Sequence, residues 1–195
     1  GNFNTAETRM SDGVNFHGAI TAYRAGATGQ GILAGVIDDG IDRDSPEFAG
    51  RISPASVDLA GSRGIDGEGT HGTNVAQVLL GAKNEAGTFG IAFDAGLPVL
   101  RADRPGSCAT EDPSNDESGC RNPETAIAAG LDRGVSAGAR VVNISLGGED
   151  PPGATLRAAV SRATAAGIIV IVSAGNAGDT TPNRNESNNP DRFPQ

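Results

Sequence analysis

Asp38 and His71 are the residues whose types and positions could support catalysis. Asp38 ends a short apolar run, residues 31–37, and His71 follows a glycine-rich turn, residues 67–70. A carboxylate beside an imidazole holds the ring in one tautomer and stabilises its cation, so that the histidine can act as a general base for a nucleophile. The two residues therefore predict nucleophilic hydrolysis, provided that the fold brings them together.

Apolar runs and amphipathic segments alternate along the chain and predict the elements that position these residues. Short apolar runs bounded by glycine or polar residues predict buried strands, and apolar residues spaced three and four apart predict helices. The predicted strands are residues 31–37, 97–101, 141–146 and 168–172, and the predicted helices are residues 70–80, 123–137 and 154–166. Residues 1–28 show no sustained period and predict an N-terminal arm, with one helical turn near residues 19–25.

This alternation predicts an α/β fold with a doubly wound parallel sheet, because parallel strands are joined by right-handed helical crossovers. In the helix at residues 70–80 the periodic apolar residues are Val75, Val78 and Leu79, and Gly81 is placed to end it. Ligands of such sheets bind where the carboxyl ends of the strands meet. Asp38, at the end of a strand, and His71, at the start of a helix, can meet at that edge.

Four short motifs resemble, in their order and spacing, those of the subtilisin-like serine peptidases. They are VIDDGID at residues 36–42, HGTNVA at 71–76, NISLGG at 143–148 and SAGN at 173–176. The second motif departs from the family at Asn74, where a second histidine is usual. The resemblance covers residues 29–195 and implies a subtilisin-like fold of three layers, αβα, in that part of the chain.

The resemblance also implies a role for each motif. Asp38 would orient the imidazole, His71 would act first as general base and then as general acid, and Asn176 would donate a hydrogen bond to the oxyanion. The strand formed by Ser145, Leu146 and Gly147 would pair through its main chain with an extended peptide substrate.

The nucleophile of the family has no counterpart in residues 1–195. It lies in a Gly-Thr-Ser motif at the start of a helix, whereas the resemblance places Ser145 and Ser173 in binding and wall segments. We therefore expect residues 29–195 to be the N-terminal portion of a peptidase domain whose C-terminal part is missing. That remainder would be a partner that supplies the serine for hydrolysis of protein or peptide substrates through an acyl-enzyme.

Two other classes of function fit parts of the sequence. A catalytically inactive relative would keep residues 145–147 as a docking strand and would bind peptides without turnover. A nucleotide-binding domain would use the G-x-G-x-x-G pattern at residues 67–72, but residues 62–66 before it are polar and predict no strand. An active enzyme is favoured, because a binding module has no need of a polarised His71 or of an oxyanion donor at Asn176.

Composition and charge exclude further partners and cofactors. The 15 basic and 24 acidic residues give a net charge of −9 without a basic run, so the chain would repel nucleic acid. Asp39, Asp42 and Asp44 are interpreted as solvated carboxylates of a turn, and no metal ligand is predicted. No cofactor is expected to be required for catalysis, and structural calcium, which is common in the family, has no assignable residues.

Cys108 and Cys120 lie in a polar loop without a neighbouring cysteine or histidine for zinc. This context favours a disulfide, with two free thiols as the alternative. A disulfide requires an oxidising compartment and agrees with a secreted or cell-surface protein. Residues 22–31 and the cysteine-bearing loop also resemble the passenger domains of Gram-negative autotransporter subtilases.

Overall fold

The computed structural model describes residues 3, 5–108, 120–148 and 151–175, and a parallel sheet of five strands forms its centre. The strands are β1 Ala34–Asp38, β2 Val57–Asp58, β3 Val99–Arg101, β4 Val141–Ile144 and β5 Ile169–Val172. They lie in the order β2-β3-β1-β4-β5, and every neighbouring pair is parallel. Because the chain adds strands on both sides of β1, the sheet is doubly wound, as the sequence predicts.

Helices cover both faces of this sheet. They are α1 Ala6–Met10, α2 Asp12–Phe16, α3 Ala19–Arg24, α4 His71–Leu80, α5 Glu124–Ala137 and α6 Ala154–Ala165, with a 3₁₀ turn at Pro46–Phe48. One core lies between the sheet and helices α5 and α6, and a second lies between the sheet and α4. Neighbouring side chains of β1 face opposite cores, since Ile37 belongs to the first core and Val36 to the second. The predicted three layers are confirmed.

The apolar spacing located the helix α4 and most of its buried side. Val75 and Leu79 pack against the core beside the fully buried Ala76 and Leu80, whereas the Val78 side chain is 65% exposed. The small residues Gly72 and Ala76 are also buried and let the helix approach the sheet closely.

Several predicted boundaries shift by one or two residues. The helix α5 begins at Glu124, so Pro123 occupies the capping position rather than the first helical position. The strand β4 ends at Ile144 rather than at residue 146. Its continuation, Ser145 to Gly147, leaves the sheet, and this departure bears on the candidate site.

The N-terminal residues form three short helices, of which only α3 was predicted. Val14 of α2 and Tyr23 of α3 pack on Phe89 and Phe93, and the Tyr23 hydroxyl donates a 2.8 Å hydrogen bond to the carbonyl of Ile91. Helices of five or six residues complete less than two turns, so α1 and α2 leave no periodic signal in the sequence. No helix in the described ranges is long and apolar enough to cross a membrane.

One edge of the sheet carries exposed apolar side chains. In β5, the all-apolar strand predicted at residues 168–172, Ile169 is 60% exposed and Ile171 is 49% exposed. Val170 and Val172, which alternate with them, pack against the core beneath α6. The outer strand is therefore covered on one face only by the described residues.

A network of ion pairs holds the segment that leads from β2 to α4. Arg63 contacts both Asp58, at the end of β2, and Asp103, with N–O distances of 2.9 Å in each case. Arg101, whose side chain is 2% exposed, pairs with Asp103 at 2.7 Å. Although burial opposes it, hydrogen bonding from Arg63 lowers the pKa of Asp58 to about 2.

We predict that Asp58→Asn destabilises the protein by about 2 kcal/mol at neutral pH, because it removes one of the two buried carboxylates that pair with Arg63 and leaves only Asp103. The depressed pKa means that this contribution is present above about pH 4 and is lost as the pH falls towards 2. Urea unfolding at pH 7 and at pH 2.5 measures both effects.

Asp132→Asn is the matched control, because the pair between Asp132 and Arg162 is exposed on both sides. It should leave the urea midpoint unchanged. Equal destabilisation by the two substitutions would contradict a stabilising role for the buried network.

Candidate active site

The carboxyl edge of the sheet brings Asp38 and His71 together. Asp38 is the last residue of β1 and His71 is the first residue of α4, and Asp38 Oδ1 lies 2.7 Å from His71 Nδ1. The Asp38 side chain is 2% exposed, whereas the imidazole is 55% exposed. A buried carboxylate therefore holds an imidazole that solvent can reach.

This contact determines the electrostatics of the imidazole. The hydrogen bond to Asp38 raises the pKa of His71 above its ordinary value, and partial burial opposes the rise. A neutral His71 donates from Nδ1 to the carboxylate and keeps its lone pair on Nε2. The ring can then accept a proton at Nε2 while Asp38 stabilises the cation.

Two glycines permit the close approach of β1 and α4. A β-carbon on Gly72 would collide with the carbonyl oxygen of Gly40. Gly40 itself has φ +92°, and a β-carbon there would lie 2.6 Å from the carbonyl oxygen of Ile65. The two positions therefore require glycine, and together they account for the Asp-Asp-Gly and His-Gly sequences.

The pair opens onto a cleft of about 570 Å³. Its lining includes all three residues of the predicted substrate strand, and the complete lining is Asp38, His71, Cys120, Arg121, Asn122, Glu124, Ile127, Ser145, Leu146, Gly147 and Gly148. Sequence reasoning missed the contribution of Glu124 and Ile127, because no local pattern shows that the start of α5 faces residues 145–148. An extended chain could lie in this cleft beside the imidazole.

Side chains hold the segment Ser145 to Gly147 beyond the end of β4. Asn143 Nδ2 donates to Ser145 Oγ at 2.9 Å, and Ser173 Oγ donates to the carbonyl oxygen of Leu146 at 3.0 Å. Gly147 makes no main-chain hydrogen bond to the described residues outside the helices and strands. Its N–H and carbonyl groups can therefore pair with another extended chain.

The remaining predicted residues do not complete a triad. Asn176 lies outside the described residues. The hydroxyls of Ser145 and Ser173 make hydrogen bonds to other groups of the protein. Within the described ranges no serine hydroxyl makes a hydrogen bond to His71. The described part of the chain thus holds a base and its orienting acid.

Cys108 and Cys120 form a disulfide, which confirms the favoured interpretation. Cys120 lines the cleft, and its sulfur lies 3.4 Å from Asp39 Oδ2. Asp39 is 1% exposed, so its interpretation as a solvated carboxylate was wrong, whereas Asp42 and Asp44 are exposed as expected. Residues 67–72 fold over the side chain of Asp39 and cover it. No local pattern in the sequence predicts this burial.

Comparison with known proteins supports one family. The profile described as the subtilase family matches residues 29–194. Subtilisin BL from Lederbergia lenta is 34% identical over 163 residues, which cover 82% of this chain and 53% of that protein. Subtilisin E from Bacillus subtilis is 31% identical over 164 residues, covering 83% of this chain and 39% of that protein. The chain thus spans about half or less of the length of these relatives.

Solved structures show the same fold. Fervidolysin from Fervidobacterium pennivorans, described as a keratinolytic enzyme related to subtilisin, superposes with a TM-score of 0.71 at 24% identity, covering 90% of this chain and 26% of that one. A protease from Pseudoalteromonas arctica superposes with a TM-score of 0.65 at 25% identity, covering 81% of this chain and 53% of that one.

We predict that Asp38→Asn lowers the pKa of His71 below its ordinary value of about 6.5, because burial remains while the charged partner is lost. NMR titration of labelled histidines measures this change. The chain has only two histidines, so His17 serves as an internal control.

The sign of the pH dependence follows from the raised pKa. In the unsubstituted protein the pair stabilises the fold below about pH 6.5, and this contribution is lost as the pH rises through the higher folded-state value. A His71 titration that Asp38→Asn leaves unchanged would show that the carboxylate does not polarise the ring.

Proposed function

Because the chain belongs to the subtilase family, we propose that it forms the part of a serine endopeptidase that contributes the general base and the substrate strand. One observation carries the proposal, namely the 2.7 Å contact between Asp38 and His71 at the mouth of the cleft. The family and the relatives favour hydrolysis of peptide bonds. The buried acid, the accessible imidazole and the unpaired strand are the parts that this reaction needs.

The proposed reaction uses His71 twice. His71 Nε2 removes the proton of a serine hydroxyl as the oxygen attacks the peptide carbonyl, and Asp38 stabilises the resulting imidazolium. The imidazolium then gives this proton to the leaving amine, which departs and leaves an acyl-enzyme. Water, deprotonated by the same nitrogen, hydrolyses the acyl-enzyme. Asn176 would donate a hydrogen bond to the oxyanion in both steps.

Ser145, Leu146 and Gly147 would bind the substrate as an added strand. The main-chain groups of Gly147 are available for this pairing within the described part of the protein. Main-chain hydrogen bonds recognise any extended peptide, whereas the side chains around the cleft select among sequences. The substrate class that follows is a protein or peptide in an extended conformation.

The serine would come from the remainder of the peptidase domain, which we propose as the partner of this chain. An apolar hollow of about 570 Å³ lies beside the pair, and its lining is His71, Asn74, Val75, Val78, Leu79, Ile91, Asn143 and Ser145. Val78 is 65% exposed there, and Ile169 of β5 is 60% exposed. A segment that covered these apolar side chains would bring its own first residues to the imidazole.

The disulfide supports export of the protein. A bond between Cys108 and Cys120 forms and persists in oxidising compartments, so we propose a secreted or cell-surface protein. The resemblance of residues 22–31 and of the cysteine-bearing loop to autotransporter passengers extends this proposal to that class of exported subtilases.

We predict that a serine beside His71 reacts with a fluorophosphonate, which labels only serines that a working base activates. The longer protein that contains this chain is treated, and intact mass under denaturing conditions locates the adduct. The expected adduct lies outside residues 1–195 and disappears in His71→Ala.

An adduct on this chain itself would show that its own serines had been misjudged. Peptide binding without any adduct would favour the inactive binding module instead. The His17→Ala variant should retain full labelling and is the matched control.

A further inference from the structure

We propose that Asp39 is a positioning residue, whose carboxylate fixes the first turn of α4 so that the imidazole of His71 meets Asp38. The inference concerns how the pair is held. It deepens the proposed function and rests on it only for the catalytic meaning of the pair.

Asp39 is bonded to both sides of the pair. Its main-chain N–H donates to Asp38 Oδ1 at 2.9 Å, and its own Oδ1 accepts from the main-chain N–H of Gly72 at 2.6 Å. Gly72 directly follows His71 in the first turn of α4. Asp39 therefore forms a second connection between the two elements, beside the contact between Asp38 and His71.

The carboxylate of Asp39 takes the place of a local helix cap. Thr70 occupies the capping position of α4, but its side chain makes no capping hydrogen bond. The first N–H groups of a helix need acceptors from outside the helix, and a negative charge at that end is favoured by the helix dipole. Asp39, the residue directly after β1, supplies both the acceptor and the negative charge. The orientation of α4 at His71 therefore depends on a residue outside the helix.

The surroundings of Asp39 are built around its carboxylate. A β-carbon on Gly69 would collide with Asp39 Oδ2, and one on Gly72 would lie 2.6 Å from Asp39 Oδ1. The sulfur of Cys120 lies 3.4 Å from Oδ2. The glycines of the turn and the disulfide thus enclose the side chain, which leaves it 1% exposed and unable to reach a substrate in the cleft.

The charge of Asp39 also acts on the imidazole. Burial, and to a lesser extent the charge of Asp38, raise the pKa of Asp39 to about 6, while the hydrogen bond from Gly72 opposes the rise. Asp39 in turn contributes to the raised pKa of His71, after the larger effects of Asp38 and of burial. A residue with a purely structural role would leave the titration of His71 unchanged.

The test is an NMR titration of the histidines in Asp39→Asn and Asp39→Ala. The asparagine keeps an oxygen that can accept from Gly72 but removes the charge, and we expect the pKa of His71 to fall by about half a pH unit. The alanine removes the acceptor as well. We expect a larger fall and the loss of the downfield Nδ1 proton signal of the hydrogen bond to Asp38.

Asp44→Ala is the matched control, since it removes an exposed carboxylate from the same turn and should leave His71 unchanged. His17 should titrate alike in all variants. If Asp39→Ala does not fold, Asp39→Asn decides the question. A His71 titration equal to that of the unsubstituted protein, in a folded Asp39→Asn, would overturn the proposal even if the melting temperature fell.

The titration needs no serine and no turnover, so it separates this proposal from the proposed function. If the two histidines of the 195-residue chain titrate alike, the pair has not formed, and the same variants are titrated in the longer protein. If the pKa of His71 responds to the Asp39 variants but the protein is not labelled by the fluorophosphonate, Asp39 is a positioning residue and the proposed peptidase function is contradicted.

Discussion

A buried negative charge at the end of β1 governs the structure around the cleft. The carboxylate of Asp38 is 2% exposed, and a charge withdrawn from water must be balanced by hydrogen-bond donors. Its Oδ1 is contacted by the N–H of Asp39 and by the imidazole of His71, whereas Oδ2 has no partner among the described residues. The helix α4 must therefore begin against the strand, and glycine is required where the two backbones meet.

The elements that support this contact lie well away from it. Arg63 anchors the segment between β2 and α4 to Asp103, beyond the end of β3, and Arg101 of β3 pairs with Glu68 in the same segment. The disulfide anchors the start of α5 on the opposite side of the same carboxyl edge. Both restraints act on loops, which would otherwise be the most mobile parts of an α/β fold. The sheet brings Asp38 and His71 together, and these restraints hold the loops around them in place.

Much of the fold follows from the sequence, because buried strands and regular helices have short-range patterns. The strands β3, β4 and β5 and the helices α4, α5 and α6 are found within two residues of their predicted positions, and β1 begins three residues later than predicted. The burial of Asp39 and the exposure of Val78 could not be predicted, since both depend on contacts between elements distant in the chain. The pairing of Asp38 with His71 was expected from strand and helix ends that meet at one edge, and four motifs strengthened that expectation.

The strand order has a consequence for synthesis of the protein on the ribosome. The first strand to emerge, β1, becomes the centre of the sheet, β2 joins only when β3 inserts between them, and β4 and β5 extend the other side. On that side the sheet presents Ile169 and Ile171 along its outer strand. Such an edge is a template for pairing with any other extended chain, so the nascent sheet is open to misassociation at both sides until its edges are covered.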